Sequence, residues 1–65
     1  MRIKVNGHDR ELPDGSDIHA LLAAHQLTPD KVAVELNRRL LRAEKYDIVL
    51  KDGDEVEIVT FVGGG

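Results

Sequence analysis

An α+β fold, one mixed sheet of about five strands packed on a single helix, is predicted by three observations. Short runs of period-two alternation open and close the chain, a single stretch carries apolar residues at helical spacing, and turn dipeptides punctuate the rest. At 65 residues the chain is one domain. A domain of this size buries only about 60% of the surface its unfolded chain exposes. That leaves little room for a deep private active site, so the expected activity is a group lent to larger enzymes.

Each element has its own signal. Ile3 and Val5 alternate with Arg2 and Lys4, Asn6-Gly7 is a two-residue hairpin turn, and a second strand is predicted through about Arg10 to Leu12. Pro13-Asp14-Gly15 breaks the hairpin. Ser16 is the expected helix cap, Asp17 suits the positive end of the helix dipole, and Ile18, Leu21, Leu22 and His25 fall on one face of a helix ending near Gln26. Leu27-Thr28-Pro29-Asp30 reads as a connector, and Val32 to Leu36 alternates as a third strand before Asn37-Arg38 turns the chain. Arg39-Leu40-Leu41 is predicted as a short fourth strand, with a brief helical turn over Arg42 to Tyr46 covering the open end of the core. Lys51 to Asp54 is a turn, and Glu55 to Val62 is the last strand, with Val56, Ile58, Thr60 and Val62 on its inner face. This order predicts a β-grasp, the first and last strands lying side by side and parallel at the sheet centre. Residues 1–62 are the domain and 63–65 a flexible C-terminal glycine tail.

Composition excludes several classes of function. There is no cysteine, so disulfides, thiolate zinc sites and thiol chemistry are unavailable. No run of about 18 apolar residues occurs and no secretory leader is evident, so a cytoplasmic protein without a membrane role is expected. The net charge of −3 disfavours nucleic acid and favours protein partners. His8, His19 and His25 lack metal-ligand spacing, Asp52-Gly53-Asp54-Glu55 is not a calcium loop, and no nucleophile, dyad or cofactor loop is present. The chain is therefore expected to be a non-enzyme with no metal and no bound cofactor.

Chemistry concentrates at the end, Thr60-Phe61-Val62-Gly63-Gly64-Gly65. A tail of glycines is thin enough to thread a narrow channel, and the tail Gly63 to Gly65 spans about 10 Å when extended. What it presents is a carboxylate, an anion at pH 7 with a pKa of roughly 3.3 to 3.7 and a poor electrophile until activated. Joining it to AMP supplies a leaving group that sulfide or an enzyme persulfide can displace. Val59 and Phe61 share the outer face of the last strand with Glu55 and Glu57. One reading makes Val59, Phe61 and Val62 a docking patch beside the tail, with Glu55, Glu57, Asp52 and Asp54 steering a basic partner; the other folds Phe61 over a sheet edge. Arg38, Arg39, Arg42 and Lys45 form a basic cluster, read as a solvated face or a second partner contact.

Asn6-Gly7 after the first strand, Val32 to Asn37, Leu50-Lys51-Asp52-Gly53-Asp54, Val56 to Val59 and the Phe61-Val62-Gly63-Gly64-Gly65 end together resemble the ThiS family, the sulfur carriers of thiamin biosynthesis, over essentially the whole chain. The resemblance implies a ubiquitin-like β-grasp whose terminal glycine, here Gly65, is adenylated with ATP on an E1-like enzyme and converted to a thiocarboxylate. It further implies a sulfur donor such as a cysteine desulfurase, and a thiazole synthase that takes the sulfur. Gly64 and Gly63 would thread the partner's channel, Gly63 being one glycine beyond the family's minimal pair. Two alternatives remain: another β-grasp carrier such as the small subunit of molybdopterin synthase, and a non-conjugating binding module resembling the TGS domain.

Overall fold

The structure, a computed structural model, describes residues 1–61. Its strands are β1 (Arg2–Val5), β2 (His8–Glu11), β3 (Val32–Leu36), β4 (Arg39–Leu41) and β5 (Glu55–Thr60), with one helix, α1 (Ile18–Ala24), among the described residues. They form a single sheet in the order β2-β1-β5-β3-β4, with β5 central, parallel to β1 and antiparallel to β3. This is the β-grasp, with the first and last strands paired as the sequence predicts.

The core lies between one sheet face and α1. Ile3, Val5, Val32, Val34, Val56 and Ile58 point inward from the strands, and Ile18, Leu21 and Leu22 meet them from the helix. Tyr46 and Leu50, from the segment after β4, close the open end. That segment also completes the helix start. The Tyr46 carbonyl accepts from the Ile18 and His19 N–H groups at 3.1 and 3.4 Å, which would otherwise be left without partners at a helix N-terminus.

Several boundaries differ from expectation. The cap of α1 is Asp17, whose carboxylate accepts from Ala20 N–H at 2.8 Å, while the Ser16 hydroxyl donates instead to the Pro13 carbonyl. Strand β2 starts at His8 rather than near Arg10. The cause is the turn: Asn6 and Gly7 both have positive φ, at 51° and 80°, so the chain reverses within two residues and pairing resumes at once. The expected connector holds a single 3-10 turn, Pro29–Lys31, nucleated where proline needs no N–H partner. A second 3-10 turn, Ala43–Lys45, stands where the brief helical turn was predicted. Strand β5 ends at Thr60, which is exposed rather than buried and lines a hollow with Val5, Ile58, His25 and Leu27. The expected extension to Val62 lies outside the described residues.

Two asparagines fasten β5 from either side. The β1 ladder to β5 ends at Val5, yet the Asn6 side chain continues it: Oδ1 accepts from Ile58 N–H at 2.7 Å and Nδ2 donates to the Ile58 carbonyl at 3.2 Å. Asn37, first residue of the β3–β4 turn, accepts from Glu55 N–H at 2.9 Å through its side chain and donates its own N–H to the Glu55 carbonyl at 2.7 Å. Both asparagines are left-handed, with φ of 51° and 52°, a conformation asparagine tolerates better than other residues with a Cβ. The strand that leads to the tail is thereby held at its start, Glu55, and again at Ile58.

Candidate functional site: the outer sheet face at the end of β5

The helix-free face of the sheet changes character along β5. Its outward residues are Glu55, Glu57 and Val59, with Phe61 just beyond, and their inward neighbours Val56 and Ile58 are buried. The register places Ala33 beside Val59, Glu35 beside Glu57, and Leu40 of β4 beside Glu35. Acidic residues therefore lie toward the start of β5 and apolar ones where the chain leaves the sheet. Val59 is 61% exposed, Phe61 56% and Leu40 70%, so the apolar side chains stand in solvent. Phe61 is not folded over an edge: its N–H donates to the Lys31 carbonyl at 2.9 Å, prolonging the pairing with the β3 side and keeping the ring on the outer face.

The acidic residues divide into two groups. Glu57 and Glu35 face one another across neighbouring strands, an arrangement that weakens the sheet locally by roughly 0.2–1 kcal/mol and concentrates negative potential next to the patch. Asp52 and Asp54, expected to join them, belong to the turn before β5 at the opposite end of the strand. Asp52 accepts from Arg2 N–H at 2.7 Å, and Asp54 accepts from Lys51 N–H at 2.8 Å and from Asn37 Nδ2 at 3.0 Å. Their geometry serves the turn. Glu55 has Lys4 as its register partner, and Lys4 is paired with Asp9 at 3.3 Å.

Of the docking residues expected from the sequence, Val59 and Phe61 are brought together on this face. Val62, Gly63, Gly64 and Gly65 lie outside the described residues. Leu40, Ala33 and Glu35 were missed as members of the face. The alternation of Val32 to Leu36 already placed Ala33 and Glu35 opposite the core, whereas Leu40 needed the β3–β4 register to be placed.

The remaining candidates sit elsewhere. Among the described residues no group of three or more potential ligands is placed to hold a metal ion. His25 Nδ1 donates to the Leu21 carbonyl at 3.0 Å, and the His19 ring meets Tyr46 edge-on at 5.9 Å. Arg38, Arg39, Arg42 and Lys45 are all exposed around β4. Arg42 pairs with Glu44 at 3.2 Å; the Glu44 carboxyl is held below its usual range by its own backbone N–H first and by Arg42 second. No helix among the described residues is long and apolar enough to cross a membrane.

Comparison with known proteins concerns the whole chain. The model of the ThiS family matches residues 3–65. The sulfur carrier protein ThiS of Bacillus subtilis is 42% identical over 65 residues, covering 97% of this chain and 98% of that protein. A thiazole synthase of Magnetococcus marinus is 36% identical over 66 residues, covering all of this chain but only 20% of its own length. The chain thus spans about a fifth of the thiazole synthases it matches. In structure, the thiamine biosynthesis protein ThiS of Geobacter metallireducens superposes with a TM-score of 0.80 at 36% identity, each chain covered completely.

Proposed function

The chain belongs to the ThiS family, the sulfur carriers of thiamin biosynthesis, and on that premise we propose that its Gly65 carboxylate is the group that carries the sulfur. In the first step a carboxylate oxygen attacks the α-phosphorus of ATP on an E1-like adenylating enzyme, releasing pyrophosphate and leaving an acyl adenylate. Sulfide, or the terminal sulfur of a persulfide charged by a cysteine desulfurase, then attacks the acyl carbon. AMP leaves; sulfide gives the Gly65 thiocarboxylate directly, whereas a persulfide gives an acyl disulfide whose S–S bond a second thiol then cleaves, releasing the thiocarboxylate and joining that thiol to the donor sulfur as a disulfide. Nucleotide and metal belong to the partner, and this chain acts as substrate and sulfur donor rather than as an enzyme.

One observation carries the reading: the matched family extends through Gly65, and the strand leading there shows solvent an apolar patch, Val59 and Phe61, at its exit. The body docks through Val59, Phe61 and Val62, and Gly63 and Gly64 thread the partner's channel. A side chain at either glycine would block the channel and crowd the carbonyl under attack. Glu57 and Glu35 steer a basic rim on the partner, accelerating encounter in a salt-dependent way.

Thiazole synthase is the proposed sulfur acceptor. In support, proteins so named from two organisms contain a segment similar to this entire chain. The test is protein-dependent exchange of pyrophosphate into ATP by the activating enzyme. The chain should support it, removal of Gly65 should abolish it with the fold intact, and exchange undiminished without Gly65 would refute the assignment.

A further inference from the structure

The sheet has two free edges, and they are unlike. Along β2 every residue is polar and exposed, and its outward acids are committed to β1, Asp9 to Lys4 and Glu11 to Arg2, each at 3.3 Å. Charges of both signs guard that edge against further pairing. Along β4 stands Leu40, 70% exposed, with Arg38, Arg39 and Arg42 nearby in the chain and Glu35 beside it on β3.

The hydrogen-bond phase of β4 follows from its neighbours. Asn37 N–H bonds to Glu55 on β5, so residues 35 and 37 turn their backbone groups toward β5 while 34 and 36 turn theirs toward β4. Leu36 faces Arg39 across the two-residue turn and Val34 faces Leu41. Leu40 lies between these bonded pairs, so its N–H and C=O point away from the sheet. No further strand lies beyond β4 in the sheet, and no turn, loop or side-chain bond to either group occurs among the described residues. Beside it a hollow of about 290 Å³ wraps the edge, lined by Ala33, Leu40, Leu41, Arg42 and Tyr46 among others.

The turn adds a third observation. The first hairpin places glycine, Gly7, at the second left-handed position, but here Arg38 occupies it with φ of 70°. A left-handed residue other than glycine or asparagine costs about 1–2 kcal/mol. Strain of this kind, kept where glycine would relieve it, marks a side chain used for something other than the turn.

We propose that β4 is an acceptor edge, onto which an extended acidic segment of a partner protein adds as a further strand beside Leu40. Backbone bonds to Leu40 supply the pairing, Leu40 and the hollow receive an apolar side chain, and Arg38 and Arg39 select for carboxylates, Arg42 being paired with Glu44. Charge decides against a second copy of this chain, since antiparallel addition of two β4 strands sets one arginine cluster against the other. The proposal depends on neither Gly65 nor the sulfur chemistry; its pairing groups lie on the free edge of β4, while the Leu40 side chain borders the outer face that carries Val59 and Phe61.

The test is titration of the ¹⁵N-labelled protein with a capped peptide alternating glutamate and valine, followed by amide shifts and exchange. Shifts should concentrate at Leu40 to Arg42, the Leu40 amide should exchange more slowly, and a lysine–valine peptide should produce neither change. Leu40→Pro removes an N–H the fold does not use and should weaken binding about tenfold, as loss of one main-chain bond does. Arg38→Gly suits the turn, so it keeps the fold whatever Leu40→Pro does, and should also weaken binding. Absence of shifts at millimolar peptide, shifts centred on β2 or on Val59 and Phe61, Arg38→Gly binding as the parent does, or concentration-dependent Leu40 shifts without peptide would each overturn the proposal.

Discussion

Replacing Asn6 by alanine removes both bonds that prolong the β1–β5 ladder beyond the β1 backbone, those to Ile58 N–H at 2.7 Å and to its carbonyl at 3.2 Å. Each is worth about 1 kcal/mol net, and the partly buried Ile58 groups are left without their partner. Alanine must also adopt a φ of 51°, at a further cost of about 1 kcal/mol. The sum is about 3 kcal/mol, which for a domain of this size lowers Tm by about 12–24 °C at roughly 4–8 °C per kcal/mol. Asn6→Gly separates the contributions, because glycine accepts the left-handed φ and loses only the bonds, for about 2 kcal/mol. Urea unfolding followed by circular dichroism measures both variants, with the slope m checking that the unfolded state is unchanged. If both lie within about 0.5 kcal/mol of the parent, the range of ordinary surface substitutions, the amide does not fasten β5 and the reasoning fails.

Other outcomes follow from the same structure. Val59→Ser, at a position 61% exposed, should cost about 1 kcal/mol at most while weakening partner binding, measured by calorimetry against the activating enzyme. Leu21→Ala, at a fully buried position, should do the reverse, losing about 2–5 kcal/mol of stability with the affinity of the remaining folded protein unchanged. Asp17→Ala should destabilise by about 1 kcal/mol in urea and Ser16→Ala by less, since Asp17 is the cap. Burial holds the Tyr46 hydroxyl above its ordinary pKa of 10.0, so the unfolded chain gives up that proton first as pH rises. Stability due to this group is therefore intact below pH 10 and declines above it, and Tyr46→Phe should flatten the decline in unfolding measured across the alkaline range.

What the sequence disclosed was chiefly what period and turn chemistry encode. Alternation along Val32 to Leu36 fixed β3 to the residue, Asn6-Gly7 fixed a hairpin, and the apolar alternation of Val56 and Ile58 identified the inward face of β5. Exposure of Val59 was equally legible, because period two carries it to the face opposite the core, whereas for Phe61 the sequence left open a ring folded over a sheet edge. Contacts between distant segments were not. Asn6 bonding to Ile58 joins residues 52 apart in sequence, and nothing local to Asn6 distinguishes a turn asparagine from one that also clasps a strand. Ser16 and Asp17 are both good caps, and the choice fell to Asp17 because Ser16 has Pro13 within reach of its hydroxyl. Leu40 read as one residue of a weak strand until its register with Glu35 set it on the outer face and its backbone on the free edge.

Sulfur carriage itself is tested most directly by the intact mass of the protein after incubation with an E1-like activating enzyme, ATP and sulfide, the enzyme being competent on another carrier. The expected result is exchange of one oxygen for one sulfur, located by fragmentation on Gly65 and absent when ATP is withheld. An unchanged mass under those conditions, or sulfur located anywhere other than Gly65, would contradict it.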